Sequence, residues 1–204
     1  MRKFHLAILV EKDQQKHFGF FANHKKMQVQ QSRKRFINPP SKFRSQITHI
    51  PLVPSSVAGG LKGELYLSGK NVLRQYKELK LNHIISMNDV EQIHVDEYQV
   101  KHELHPVDDL NNEPAKRKLA EILDSVVDSI HQSLQAGNKV CVHCACGVSR
   151  SATVVAAYLA KYHNQLDPIT YLRLYRPVVD PNPSFIALLK DRHPSLVDTK
   201  FINW

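Results

Sequence analysis

Nine residues, His143-Cys144-Ala145-Cys146-Gly147-Val148-Ser149-Arg150-Ser151, constrain this chain more than any other stretch. The apolar run Lys139-Val140-Cys141-Val142 leads into them, and a helix-forming run from Ala152 to Tyr162 follows. A cysteine therefore stands six positions ahead of an arginine, between a strand and a helix, with a glycine in the interval. A loop of that length can curl so that successive backbone N–H groups point inward and form a nest for an anion. The helix behind it adds the positive end of its dipole. Arg150 offers a planar fork that binds two phosphate oxygens at once. The same positive field favours the thiolate of Cys144 over its thiol. The spacing predicts a site that holds a phosphate dianion against a nucleophilic sulfur.

The chain on either side alternates strand and helix patterns. Glu64 to Leu67 reads as a short strand, Val72 to Lys80 as a helix, and His83 to Met87 and Tyr98 to Val107 as strands. The clearest helix runs from a cap at Asn112, with Pro114 in its first turn, to Gly137. Ala115, Leu119, Ile122, Leu123, Val126, Val127, Ile130 and Leu134 share one face of it. Val140 to His143 is the strand that feeds the loop, and Ser151 to Tyr162, Pro168 to Leu174 and Pro183 to Lys190 are helical. This order predicts an α/β domain with a central, mostly parallel sheet flanked by helices. Sites in such sheets lie beyond the carboxyl ends of the strands, where Cys144 falls.

The loop resembles the signature of the cysteine-dependent protein phosphatases, His-Cys-x5-Arg-Ser/Thr, and in detail that of the dual-specificity branch. The likeness spans about residues 61–194 and includes Leu65-Tyr66-Leu67, Pro106-Val107-Asp108-Asp109, Ser151-Ala152, Ala157-Tyr158-Leu159 and Pro181-Asn182 with Phe185. It implies the cysteine-phosphatase fold and hydrolysis of phosphate monoesters on phosphoproteins, without a cofactor. Cys144 is then the nucleophile. Ala145, Cys146, Gly147, Val148, Ser149 and Arg150 bind the phosphate, and Asn182 supports the loop or caps a helix. Alignment on Pro106-Val107 selects Asp109 as the acid that protonates the leaving oxygen. Asp108 stands beside it as the alternative or as a turn residue. Asp109 stands 35 positions before Cys144, slightly more than the family pattern suggests, and Asn111-Asn112-Glu113 would be an insertion.

Ser151 can donate its hydroxyl to the Cys144 sulfur or serve as a helix cap. His143 is expected to orient the loop rather than to exchange protons. The variable loop positions carry no lysine, which favours protein substrates over polyphosphorylated lipids. Two other readings stay open, an RNA 5′-phosphatase and a phosphate-binding adaptor without catalysis.

All three cysteines lie between positions 141 and 146, which is no disulfide framework. A nucleophilic thiolate implies an intracellular, reducing compartment, the cytoplasm or nucleus. So tight a turn cannot aim Cys141, Cys144 and Cys146 at a metal and still cradle phosphate, so no metal is expected. Proximity makes Cys141 and Cys146 candidate disulfide partners for an oxidised Cys144.

Charge is distributed unevenly. Residues 1–44 carry 11 Lys/Arg and two acids, whereas residues 45–204 carry 17 of each sign. The net charge of +9 thus belongs to the N-terminal segment. Such a basic arm suits an acidic partner (nucleic acid, anionic membrane or protein) or a purely solubilising role. Two short β-runs, Phe4 to Val10 and His17 to Ala22, suggest a hairpin within it. Residues 38–63 have the Pro, Gly and Ser content of a linker. The expected division is an extension and linker over 1–60, a catalytic domain over 61–194 and a tail over 195–204. No apolar run approaches the roughly 20 residues of a membrane span. Leu6 to Val10 is too short for the core of a secretory signal.

Overall fold

The run ahead of Cys144 becomes the centre of a sheet. The computed structural model describes residues 46–52, 61–90 and 100–194. Among them the strands are β1 (Thr48–Ile50), β2 (Glu64–Ser68), β3 (His83–Ser86), β4 (Lys101–Leu104) and β5 (Lys139–His143). The helices are α1 (Val72–Gln75), α2 (Glu113–Gln135), α3 (Arg150–His163), α4 (Pro168–Tyr175) and α5 (Pro183–Arg192). The strands lie in the order β1-β2-β5-β3-β4. All neighbours are parallel except β1, which joins the edge antiparallel to β2. This is the expected α/β architecture.

Register explains where the loop emerges. Ser68 of β2 and Ser86 of β3 both pair with His143, the last residue of β5. Three strands therefore finish level, and Cys144 is the first residue beyond that common carboxyl edge. One sheet face, with Leu65, Leu67, Ile85, Val140 and Val142, packs into the main core with α2, α3, α4 and α5. The other face carries Ile84 and Cys141 against Val72, Leu81 and Val100.

The α2 stripe is laid out as its spacing predicts. Asn112 accepts the Ala115 N–H at 2.9 Å, Pro114 occupies the first turn, and Gly137 follows the helix at φ +84°. Every position of the predicted face is buried except Ile122, which is partly buried at its margin. α3 differs, because every residue from Ser151 to Leu159 is buried. A helix enclosed all round belongs in the centre of the core, which fixes the far wall of the site.

Several expectations change. The stretch read as linker supplies β1, with Thr48 and Ile50 buried and His49 exposed between them. Three alternating residues among prolines and glycines carry too little pattern to read as a strand. Pairing with Leu65, Tyr66 and Leu67 is what makes them one. Gly63 is a close-approach residue rather than a flexible one, since a Cβ there would lie 2.3 Å from the Asn138 carbonyl oxygen. The helix expected over Val72 to Lys80 stops at Gln75 and continues as turns, with Lys80 at φ +54° reversing the chain into β3. The strand expected over Tyr98 to Val107 is confined, among the described residues, to Lys101–Leu104. The N-terminal hairpin and the C-terminal tail lie outside the described residues.

Candidate active site

The loop from Cys144 to Ser149 is held by its carbonyl groups. His143 Nδ1 lies 3.4 Å from the Cys144 oxygen. The Lys70 N–H donates to Ala145 O at 3.3 Å, and Asp180 N–H to Val148 O at 2.9 Å. Arg176 takes both Cys146 O and Gly147 O, at 2.9 and 2.8 Å. Thr153 donates its N–H and its hydroxyl to Ser149 O, at 2.8 and 2.9 Å. These bonds engage the carbonyl of every residue from Cys144 to Ser149. A planar peptide sends its N–H the opposite way from its C=O, so carbonyls tied outward leave the amides facing in. That is the anion nest the spacing predicts.

The sulfur of Cys144 sits in this nest, and the residue is 1% exposed. Gly147 N–H and the Ser151 hydroxyl each donate to it at 3.2 Å. Burial opposes ionisation. The Arg150 charge, the Ser151 hydroxyl and the backbone N–H groups of Ser151 and Cys146 outweigh it, so the thiol is held below its ordinary pKa. Ser151 is therefore a donor to sulfur. The residue at the helix cap position is Ser149, which makes no side-chain capping bond.

Arg150, the first residue of α3, is anchored by one arm of its fork. Its Nη1 donates to Val107 O at 2.9 Å and to Met87 O at 3.5 Å. Its Nε is buried without a hydrogen-bond partner and lies 3.8 Å from Asp109 Oδ2. Asp109 follows β4 in the segment before α2. Its Oδ1 accepts from the Ser149 hydroxyl at 2.6 Å and from Asn182 Nδ2 at 2.9 Å. Asp108 is exposed and has no side-chain partner among the described residues. Asn182 has two tasks, since its Oδ1 also accepts the Phe185 N–H and caps α5. The structure thus brings Cys144, Arg150, Ser151, Ser149, Asp109 and Asn182 together around one loop.

His143 is fully buried behind the loop, with Nε2 at 2.5 Å from the Ser86 hydroxyl, which also meets His102 Nε2 at 2.7 Å. Burial lowers its pKa to about 4, so it is neutral near pH 7 and braces the loop. Cys141 points to the opposite sheet face from Cys144 and is packed beside Ile84 and Val100. Cys146 is only partly buried. Asn111 and Asn112, read as an insertion, are structural: Asn112 caps α2, and Asn111 accepts from the N–H and hydroxyl of Ser184. Sequence reasoning missed Ser86, Arg176 and Ser68, whose carbonyl accepts the Cys144 N–H at 3.4 Å. Short serines at strand ends carry no pattern. An arginine beside Pro177 reads as surface until the fold buries it.

A thiol of lowered pKa in a backbone nest, an arginine fork beside it and a carboxylate at the rim, all at the carboxyl edge of a parallel sheet, define a cysteine-dependent phosphatase. The model of the dual specificity phosphatase catalytic domain matches residues 65–193, and the chain belongs to that family of protein-tyrosine/dual-specificity phosphatases. It is 33% identical over 153 residues to dual specificity protein phosphatase 1 of Arabidopsis thaliana, covering 71% of each chain. Over 70 residues it is 44% identical to human dual specificity protein phosphatase 14, covering 33% of this chain and only 35% of that relative. The crystal structure of DUSP15 superposes with a TM-score of 0.56 at 27% identity, covering 67% of this chain and 85% of the other.

Proposed function

We propose that this protein hydrolyses phosphotyrosine and phosphoserine/threonine on protein substrates through a phosphocysteine at Cys144, with Asp109 as acid and then base. The observation that carries this reading is the loop itself, whose carbonyls are all tied outward around a sulfur with a lowered pKa. In the first step the Cys144 thiolate attacks phosphorus and the ester P–O bond breaks. Asp109 gives its proton to the leaving oxygen. The loop amides and Arg150 hold the three equatorial oxygens, whose charge is greatest in the transition state. In the second step the Asp109 carboxylate takes a proton from water, whose oxygen attacks phosphorus. The S–P bond then breaks, and the Ser151 hydroxyl stabilises the departing thiolate.

Asp109 is favoured over Asp108 because Ser149, Asn182 and Arg150 hold its carboxylate at the loop. Ala145, Cys146, Val148 and Ser149 add no positive side chain for further phosphates, which favours a phosphoprotein. The catalytic unit comprises residues 61–194 together with β1. The nucleophile requires a reducing, intracellular compartment, and the basic segment 1–44 recruits an acidic partner. Competing phosphopeptides against a 5′-triphosphate RNA tests the substrate class. Phosphopeptides should turn over faster with wild-type protein and not at all with Cys144→Ser. A large preference for the RNA would overturn the choice.

A further inference from the structure

Arg176, the residue just after α4, is completely buried. Arginine is almost never enclosed unless its donors are satisfied. Nε donates to Gly147 O at 2.8 Å and Nη2 to Cys146 O at 2.9 Å. Nη1 donates to Gln46 O at 3.0 Å and to Thr48 Oγ1 at 3.1 Å. One guanidinium thus ties the phosphate loop to the edge strand β1. Gly147 makes the approach feasible. It has φ +66°, and a Cβ on it would lie 2.6 Å from Ser68 backbone atoms and 2.8 Å from Arg176 Nη2.

The Cys146 carbonyl and the Gly147 N–H belong to the same peptide group, so they point in opposite directions. Arg176 grips the carbonyl from behind, while the N–H donates to Cys144 Sγ at 3.2 Å. We propose that Arg176 is a positioning residue for the nucleophile: it locks the Cys146–Gly147 peptide with its N–H on the Cys144 sulfur, and β1 locks Arg176 in turn. The proposal rests on Cys144 being the nucleophile. A hydrogen bond from a cation to the carbonyl polarises that peptide and strengthens its N–H as a donor. The guanidinium is also a second positive charge near the sulfur; burial lowers its pKa, and the Cys144 charge opposes that shift. The other ionisable groups around the loop are Arg150 from α3, paired with Asp109, neutral His143, Cys146, the un-ionised Cys141, Lys70, and Asp180, whose carboxylate pairs with Arg173. Thr48 and Gln46 lie outside the span matched by the family model, 65–193. The edge strand thereby acquires a part in catalysis through residues that touch no substrate.

Four variants of the full chain test this: Thr48→Val, Thr48→Ser, Arg176→Lys and Cys144→Ser. The readouts are the pH dependence of Cys144 alkylation by iodoacetamide, kcat and KM on an aryl phosphate, and the melting temperature. Arg176→Lys keeps a charge but loses the fork. It should move the alkylation midpoint to higher pH and lower kcat about 10–100-fold with little change in KM. Thr48→Val should shift both in the same direction, with kcat down roughly threefold, and Thr48→Ser should restore them. If Arg176→Lys does not fold, the two Thr48 variants decide. A wild-type midpoint and kcat in folded Thr48→Val, or equal losses in Thr48→Val and Thr48→Ser, would overturn the proposal. Turnover surviving in Cys144→Ser would instead overturn the nucleophile reading on which it rests.

Discussion

Cys141 and Cys144 are three residues apart, and both are essentially enclosed, at 0% and 1% exposure. Cys141 lies in the middle of β5, and Cys144 in the loop that follows it. Burial pushes the Cys141 thiol far above its ordinary range, with only a weak opposing pull from Arg176. Cys144 meets the same burial but is shifted the other way by Arg150, the Ser151 hydroxyl and two backbone amides. Enclosure alone therefore makes an inert thiol. On the reading of Cys144 as the nucleophile, what sets it apart is enclosure by donors and a cation, and that begins where the strand's amides stop pairing with neighbouring strands. Inside β5 they are used up in the sheet, whereas in the loop they are turned inward because the carbonyls are held outside.

This contrast can be broken most decisively at the two sulfurs. Cys144→Ser should lower turnover by roughly four orders of magnitude or more, since a hydroxyl there lacks the low pKa that makes sulfur reactive. Cys141→Ser should leave kcat within about threefold. Its cost should appear in stability, at about 1–3 kcal/mol for a buried hydroxyl in an apolar cluster. Steady-state kinetics beside denaturant titration separates the two. A catalytic defect in Cys141→Ser comparable with that of Cys144→Ser would erase the distinction.

The cation is the next lever. Arg150→Lys keeps the charge but not the planar fork, and should cost about 10²–10³-fold in kcat/KM. A loss below tenfold would mean that charge alone suffices. Smaller again is the hydroxyl donor. Ser151→Ala should slow breakdown of the phosphocysteine by about tenfold, seen as a burst of released phenol followed by slow turnover. Absence of a burst would assign Ser151 to packing only.

The finest test uses pH. Cys144 has a lowered folded pKa, so its contribution to stability is complete above the unfolded thiol pKa of ~8.5 and is lost as pH falls through the folded value. Cys141 has a raised one, so its contribution is complete below ~8.5 and is lost as pH climbs above that. In denaturant titrations from pH 7 to 10, Cys141→Ala should flatten the decline above pH ~8.5, and Cys144→Ala should remove a rise in stability between pH 7 and ~8.5. Identical curves would show that the two thiols do not differ in the folded state.

The sequence carried much of this on its own terms. The α2 face, its Asn112 cap and its glycine stop were all written in local spacing. So was the loop, because a Cys-x5-Arg turn between strand and helix is a local constellation. The choice of Asp109 rested on aligning Pro106-Val107, and its contacts with Ser149 and Asn182 join residues 40 and 73 positions away. Asn182 showed its capping role in sequence but not its second bond to Asp109. β1 was hidden in linker composition, because three residues become a strand only against a neighbour.

The chain by itself determined which chemistry was available: a cysteine and an arginine at a spacing that curls around a phosphate, on a sheet that alternating strand and helix patterns demand. These signals are local, set by backbone geometry and hydrophobic period within a few turns. Tertiary structure alone decided that Cys141 is enclosed on an apolar sheet face and that Arg176 reaches the loop carbonyls. It also decided that a short edge strand is tied to the phosphate loop through Arg176. Those outcomes depend on desolvation and on hydrogen bonds between segments as much as 130 residues apart, such as Arg176 and Gln46. No local pattern encodes them, because each exists only once the sheet has brought its edges together.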